Sequence, residues 1–153
     1  MSISVEQIKS LRVKTGLGIH DVKQALEHAE GDEAKAIAWL KEKGLATAAK
    51  KSDRATGQGL IETYVHGGGR IGAMVEVNCE TDFVARNDDF KKFVKEVALQ
   101  VASMNPENVD ELMKQDYFRD PSVTIEQLLN DTIAKIGENM KIARIVRFEL
   151  GYE

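Results

Sequence analysis

The spacing of the apolar residues changes from two to about 3.6 within one stretch of the chain. Four of them alternate with other residues and predict a strand with one buried face: Ile71, Ala73, Val75 and Val77. Seven others recur three and four positions apart and predict a long amphipathic helix: Phe90, Phe93, Val94, Val97, Ala98, Val101 and Ala102. Asn87 or Asp88 would cap that helix. A strand and a helix that each have one apolar face bury those faces against each other, so this stretch predicts an α+β fold.

Neighbouring segments extend the predicted strand into a small sheet. The run "LIETYVHGGGRIGAMVEVN" has β-branched residues on both sides of three glycines, the pattern of a β-hairpin. The run "KIARIVRFEL" alternates imperfectly and is predicted to form a third strand that pairs with the hairpin. A helix that begins at Ser122 or Thr124 and ends at Gly137 precedes it. Residues 59–153 are therefore expected to form a core domain, a three-stranded antiparallel sheet packed with helices.

The first 45 residues predict three short helices. Ser4 and Gln7 have the spacing of a capping box, and "TGLG" ends the first helix. The second spans residues 19–30, and Asp32 is expected to cap a third that closes at Gly44. Three short helices bury little surface, so residues 1–45 predict a small module. The polar, basic residues 46–58 are interpreted as a linker.

Charge and composition narrow the class of partner. The 153-residue chain has a formal net charge of −4, which argues against a nucleic-acid or anionic-membrane binder that works through general electrostatics. A protein partner is expected instead. The sequence contains no run of about 18 apolar residues that could span a membrane. The amino end has no leader pattern, so a cytoplasmic location is expected.

Residues that could support catalysis or bind a cofactor give weak signals. Cys79 is the one cysteine, and a nucleophilic role would need His20, His28 or His66 as its base. A buried structural thiol is the preferred interpretation. No pair of histidines has metal-binding spacing, and "TGLG" and "HGGGRIG" lack the strand–loop–helix context of a phosphate loop. We expect no enzyme activity, no metal and no cofactor.

One loop is unusual for its chemistry. "NCETDFVARN", residues 78–87, lies between the predicted strand and the long helix, where turns favour small or polar residues. Phe83 nevertheless follows Asp82 there. Phe83 either packs back into the core, where it could staple the start of the helix, or is presented to a partner.

Two segments carry a resemblance to a known family. "LRVKTGLGIHDVKQAL", residues 11–26, and "NCETDFVARN" are similar to the two signatures of the elongation factor Ts family. "AAKK" at residues 48–51 and "KIGENMKIAR" at residues 135–144 match as well, so the resemblance covers most of the chain. Members of this family are guanine nucleotide exchange factors for elongation factor Tu.

The resemblance implies a mechanism and a set of contacts. The amino-terminal module would have a ubiquitin-associated-type fold and dock on the nucleotide domain of elongation factor Tu. Phe83 would insert beside the magnesium site, and Asp82 would hold the loop by bonding the partner or by capping the following turn. The implied partner-binding residues are Thr81, Asp82, Phe83, Val84, Arg12, Ile19, His20 and Lys23.

Each assignment has a plainer alternative. Arg12 and Lys23 could form a solvated helix face, Ile19 could pack in the core, and His20 could be an ordinary surface residue. The whole chain could also be a protein-binding module with no effect on nucleotide exchange. Longer family members have two related half-cores, whereas this chain has room for one, so we expect that two chains could pair as a homodimer through the sheet or its edge.

Overall fold

The computed structural model describes residues 2–152. Three helices come first: α1 (Val5–Thr15), α2 (Ile19–His28) and α3 (Glu33–Lys51). A hairpin and three helices follow: β1 (Gln58–His66), β2 (Ile71–Cys79), α4 (Asp82–Ala85), α5 (Asp88–Met104) and α6 (Val109–Lys114). The remaining elements are β3 (Asp116–Tyr117), β4 (Asp120–Thr124), α7 (Ile125–Ile136) and β5 (Met140–Glu149).

The three-stranded antiparallel sheet is present as predicted. Its order is β1-β2-β5, so the hairpin strand β2 is central and the last strand pairs with it. Ala73, Val75 and Val77 are buried beneath α5, which confirms the alternating pattern. The opposite face leaves apolar side chains exposed: Ile61, Val65, Met74, Val146 and Phe148.

The main core lies between the sheet and the helices that pack on it, and α5 contributes more buried apolar residues to it than any other element. All seven apolar residues that predicted this helix are buried, and Asn87 is its N-cap. Phe90, in the first turn, is 0% exposed. Burial of such a side chain contributes about 1.5–3 kcal/mol, so this face holds the helix on the sheet. Thr124 caps α7 and Gly137 ends it, also as predicted.

The first three helices have a hydrophobic cluster of their own. Its buried members are Leu11, Val22, Ala25, Leu26, Ala29, Ala36 and Leu40. Ser4 and Gln7 form the predicted capping box, and Asp32 caps α3. Gly16 ends α1 at φ 68°, a left-handed conformation that glycine adopts without steric cost.

The third helix is longer than the sequence predicted. It does not close at Gly44 but continues to Lys51, so residues 46–51 of the expected linker are helical. Gly44 is buried, and a Cβ built there would lie 3.5 Å from the Cβ of Ala134 on α7. A small residue at this position therefore packs α3 against α7, a tertiary contact that the local sequence does not reveal. Ala48, one turn farther on, belongs to the main core.

The β3–β4 hairpin was not predicted from the sequence. The buried Gln100 of α5 holds it, because its side-chain amide accepts from Phe118 N at 2.9 Å and donates to the Asp116 carbonyl at 3.0 Å. Glu96 Oε2, one turn earlier, accepts from the Tyr117 hydroxyl at 2.5 Å and from Arg119 Nε at 2.6 Å. Burial and the bond to Glu96 raise the pKa of Tyr117 to about 12.

Hydropathy adds one further observation. Within residues 2–152, no helix is both long enough and apolar enough to cross a membrane.

Candidate functional site

The loop that carries Phe83 is a single helical turn, α4. Thr81 begins this turn, because its hydroxyl accepts from Val84 N at 3.3 Å. Ala85 is buried and Val84 packs, half-buried, against the main core. Phe83 points away and is 80% exposed. The alternative that Phe83 packs into the core is therefore wrong, and the turn is anchored by its neighbours instead.

Glu138, between α7 and β5, holds the start of this turn. Its Oε1 accepts from Glu80 N at 3.2 Å and from Thr81 N at 3.0 Å, and its Oε2 accepts from the Thr81 hydroxyl at 2.7 Å. The Cys79 thiol donates to the Thr81 carbonyl at 3.2 Å. Thr81 is thus fixed through its amide, hydroxyl and carbonyl groups.

The same region contacts the end of α3. The buried Asn139 donates its N–H to Glu80 Oε1 at 2.7 Å. Its side-chain amide donates to the carbonyls of Ser52 at 3.3 Å and Arg54 at 2.8 Å. The Arg54 guanidinium lies 3.5 Å from Glu80 Oε1. No role was predicted for Glu80, Glu138 or Asn139. Glu80 lies within "NCETDFVARN", and Glu138 and Asn139 lie within "KIGENMKIAR", so the only signal in the sequence was the family resemblance of these two segments.

Two roles were predicted for Asp82, bonding to the partner or capping the following turn, and the structure bears on the second. Thr81 caps the turn, so the hypothesis that Asp82 is the cap is wrong. Asp82 is the first residue of α4 and pairs with Arg86 four positions later. Its carboxylate also lies in the first turn, where negative charge favours the helix dipole.

The predicted contact residues of the amino-terminal module lie on α1 and α2. Arg12, His20 and Lys23 are exposed. Ile19 begins α2 and is 56% exposed, so the alternative that Ile19 packs in the core is wrong. Ile19 and Lys23 are four residues apart and share one helix face. The Lys23 Nζ atom lies 3.7 Å from Glu27 Oε1 on the same helix.

Cys79 has the surroundings of a structural thiol. It is buried at the end of β2. Burial, reinforced by the Glu138 carboxylate, raises the pKa of Cys79, which disfavours the reactive thiolate. In residues 2–152, no group of three or more His, Cys, Asp or Glu side chains is arranged to hold a metal ion.

Comparison of the sequence with known proteins indicates one class, the factors of translation elongation. The family model described as "Elongation factor TS" matches residues 80–153. Elongation factor Ts of Thermoanaerobacter sp. (strain X514) is 43% identical over 194 aligned residues, covering 97% of this chain and 95% of the relative. That of Heliobacterium modesticaldum is 39% identical, covering 97% of this chain and 90% of the relative. The chain belongs to the elongation factor Ts family.

The alignments also show a difference in length. The 194 aligned positions exceed the 153 residues of this chain, so the Thermoanaerobacter relative has residues opposite which this chain has a gap. Elongation factor Ts of Synechococcus sp. (strain JA-3-3Ab) is 42% identical, and the alignment covers 99% of this chain but 70% of that relative. This chain therefore has fewer residues than these relatives.

Proposed function

We propose that the chain binds elongation factor Tu in its GDP-bound form and promotes GDP release. Family membership supports the identity of the partner. The observation that carries the mechanism is Phe83, an apolar ring that is 80% exposed on a turn whose neighbouring residues are anchored. An exposed ring on a fixed backbone contributes no burial energy to the free protein. Burial of that ring against another protein would contribute to binding instead.

The proposed mechanism acts on the GDP-binding site of the partner. A GTPase holds its nucleotide through backbone amides on the phosphates and through a magnesium ion. Insertion of Phe83 beside the magnesium site would disturb both, and Asp82 would hold the loop against the partner. Arg12, Ile19, His20 and Lys23 would dock the amino-terminal module on the same domain. Since coupling between two ligands of one protein is reciprocal, GDP should weaken binding of the exchange factor by the same factor.

This mechanism requires no catalytic acid, base or nucleophile from the chain. An enzyme reaction that uses Cys79 is the weakest candidate, because its thiol is buried and bonded to the Thr81 carbonyl. A Cys79→Ser variant that retains full exchange activity would leave the thiol with a packing role alone.

The decisive experiment is stopped-flow release of a fluorescent GDP analogue from elongation factor Tu. The native chain and Phe83→Ala are compared over a range of concentrations. Tyr152→Ala is the matched control, because Tyr152 is also 80% exposed but lies outside the loop. We expect acceleration by the native chain and the control, and a maximal rate at least tenfold lower for Phe83→Ala.

Other outcomes select other functions. Equal acceleration by Phe83→Ala would assign the disturbance to the module rather than to the loop. Binding of elongation factor Tu with no acceleration by the native chain would favour the second candidate, a protein-binding module with no effect on exchange.

We further propose that two chains pair as a homodimer through the outer face of the sheet. Met74 and Val146 are opposite each other on that face, and Ile61, Val65 and Phe148 extend the exposed apolar surface around them. A patch of this kind on a small sheet favours pairing with a second copy.

Sedimentation measurements test the homodimer. The native chain should sediment at about twice its mass of 17.0 kDa, and Phe148→Ser should shift it toward the monomer. A single 17.0 kDa species, both free and with elongation factor Tu, would refute the proposal.

A further inference from the structure

Glu138 accepts three hydrogen bonds from two consecutive residues of the loop, although it is distant from that loop in sequence. The three donors are Glu80 N, Thr81 N and the Thr81 hydroxyl. Bonds to an ionised acceptor are stronger than those between neutral groups. We propose that Glu138 is a positioning residue for Phe83 that fixes its turn before the partner arrives. This inference rests on the proposed exchange function.

The connection between Glu138 and Phe83 passes through the Thr81 hydroxyl. That hydroxyl donates to Glu138 Oε2, which leaves its lone pairs free to accept from Val84 N. The Glu138 carboxylate therefore orients the group that caps α4. A turn of four residues, Asp82–Ala85, has little helical stability of its own, so its conformation depends on such contacts. Phe83 is the second residue of this turn.

Glu138 is itself fixed on both sides. Gly137 ends α7 in a left-handed conformation, at φ 88°, and turns the chain toward β5. Asn139, the next residue, is buried and bonds to Glu80 and to the carbonyls that follow α3. Glu80 uses its own carboxylate for Asn139 N and Arg54, so it does not duplicate the acceptor role of Glu138.

A fixed turn affects the rate of exchange more than the affinity. When a loop is mobile, part of the interaction energy is used to order it in the productive complex. The module contacts, which do not involve Glu138, would still bring the two proteins together. Loss of Glu138 should therefore lower the maximal rate of GDP release, with a small change in the half-saturating concentration.

Two variants and one control test the role. Glu138→Ala removes all three acceptor contacts, and Glu138→Gln retains one oxygen that can accept from the two amides. Glu126→Ala is the control, because Glu126 is an exposed glutamate in the first turn of α7. Amide hydrogen exchange at Glu80 and Thr81 is measured on the free chain, with Val75 and Val77 of the sheet as internal references. GDP release from elongation factor Tu is measured in parallel.

The expected results distinguish positioning from general stability. In Glu138→Ala, exchange at Glu80 and Thr81 should accelerate at least tenfold while the two sheet amides change less than about twofold. The maximal release rate should fall about tenfold, and Glu138→Gln should recover part of it. Glu126→Ala should match the native chain in both measurements.

Several outcomes would overturn the inference. Unchanged exchange at Glu80 and Thr81 would show that Glu138 does not hold the loop. A native maximal rate in Glu138→Ala, despite faster amide exchange, would show that the turn need not be fixed. If the native chain itself fails to accelerate GDP release, the proposed function fails, and Glu138 positions no exchange residue, whatever the amides show.

Discussion

The two surfaces proposed to contact elongation factor Tu are built in different ways. In the core domain, the turn around Phe83 is held through its backbone, with Glu138, Cys79 and Val84 as anchors. In the amino-terminal module, the proposed contact residues are side chains on helical faces, and Lys23 pairs with the exposed Glu27 of the same helix. A fixed backbone presents one ring in one place, whereas long side chains adapt to the surface they meet.

This difference suggests a division of roles. The anchored turn is suited to the step in which nucleotide is released, since a displaced ring would lose its effect. The module is suited to affinity, because flexible contacts tolerate small errors of position. Changes to single residues can test both how the two regions are built and whether their roles differ.

The first test compares the contributions of Phe83 and Phe90 to the free energy of unfolding, because one ring is exposed and the other is buried. Phe90→Ala should lower the free energy of unfolding by about 3–5 kcal/mol, because it leaves a cavity under α5. Phe83→Ala should change it by less than about 0.5 kcal/mol, because its ring is exposed. Urea denaturation measures both. A loss above about 2 kcal/mol for Phe83→Ala would mean that its ring packs in solution.

The second test disturbs the contact between the module and the core domain. Gly44→Leu forces a side chain between α3 and α7 and should cost about 1–3 kcal/mol of stability. Gly44→Ala is the matched control. Its Cβ would meet Ala134 at an ordinary contact distance, and alanine favours the helix, so a gain of about 0.5–1 kcal/mol is expected. Destabilisation by both variants in thermal unfolding would mean that a Cβ at position 44 lies closer to the Cβ of Ala134 than 3.5 Å.

The third test uses acid to probe the contacts that Glu96 makes in the core domain. Burial opposes ionisation of Glu96, but hydrogen bonds from Arg119 and Tyr117 outweigh it, so the pKa of Glu96 is lowered. Glu96 therefore stabilises the fold above its unfolded-state pKa of about 4.3, and this contribution is lost as pH falls through the lower folded-state value.

The expected loss is about 1 kcal/mol, measured by urea denaturation between about pH 6 and pH 3. Glu96→Gln should be less stable at neutral pH and should show a flatter pH profile. Identical profiles for the native chain and the variant would contradict the assigned role of Glu96.

The fourth test concerns the amino-terminal module. Ile19→Ala should raise the half-saturating concentration for GDP release about threefold and leave the maximal rate unchanged, because a half-exposed side chain contributes modestly to an interface. Val13→Ala, an exposed apolar residue outside the proposed set, is the control. A fall in the maximal rate for Ile19→Ala would contradict the proposal that the module contributes to affinity and the turn to nucleotide release.

Periodic patterns predicted much of the fold. The sheet and α5 followed from spacings of two and about 3.6, because their apolar faces are local in sequence. The continuation of α3 could not be predicted in that way. Gly44 has the form of a helix end, but the helix continues through it where α3 packs on α7 near Ala134, a contact between segments that are distant in sequence. The β3–β4 hairpin depends on Gln100, a polar residue that no hydrophobic pattern marks as buried.

The candidate site was also predictable only where its signal lay in the local sequence. Phe83 was conspicuous because a large ring is out of place in a turn. Its exposure could not be derived, since core packing and presentation to a partner fit the same local sequence. Glu138 lies 57 residues from Thr81, and only the folded chain brings them within hydrogen-bond distance.

The unbroken helix α3 also has a consequence for how the two surfaces work together. A flexible tether would let the module sample many positions after the first contact formed. A continuous helix packed on α7 restricts that sampling, so the second surface would meet the proposed partner at a high effective concentration. Two small surfaces can then give a combined affinity that neither would reach alone, which suits a chain with fewer residues than its relatives.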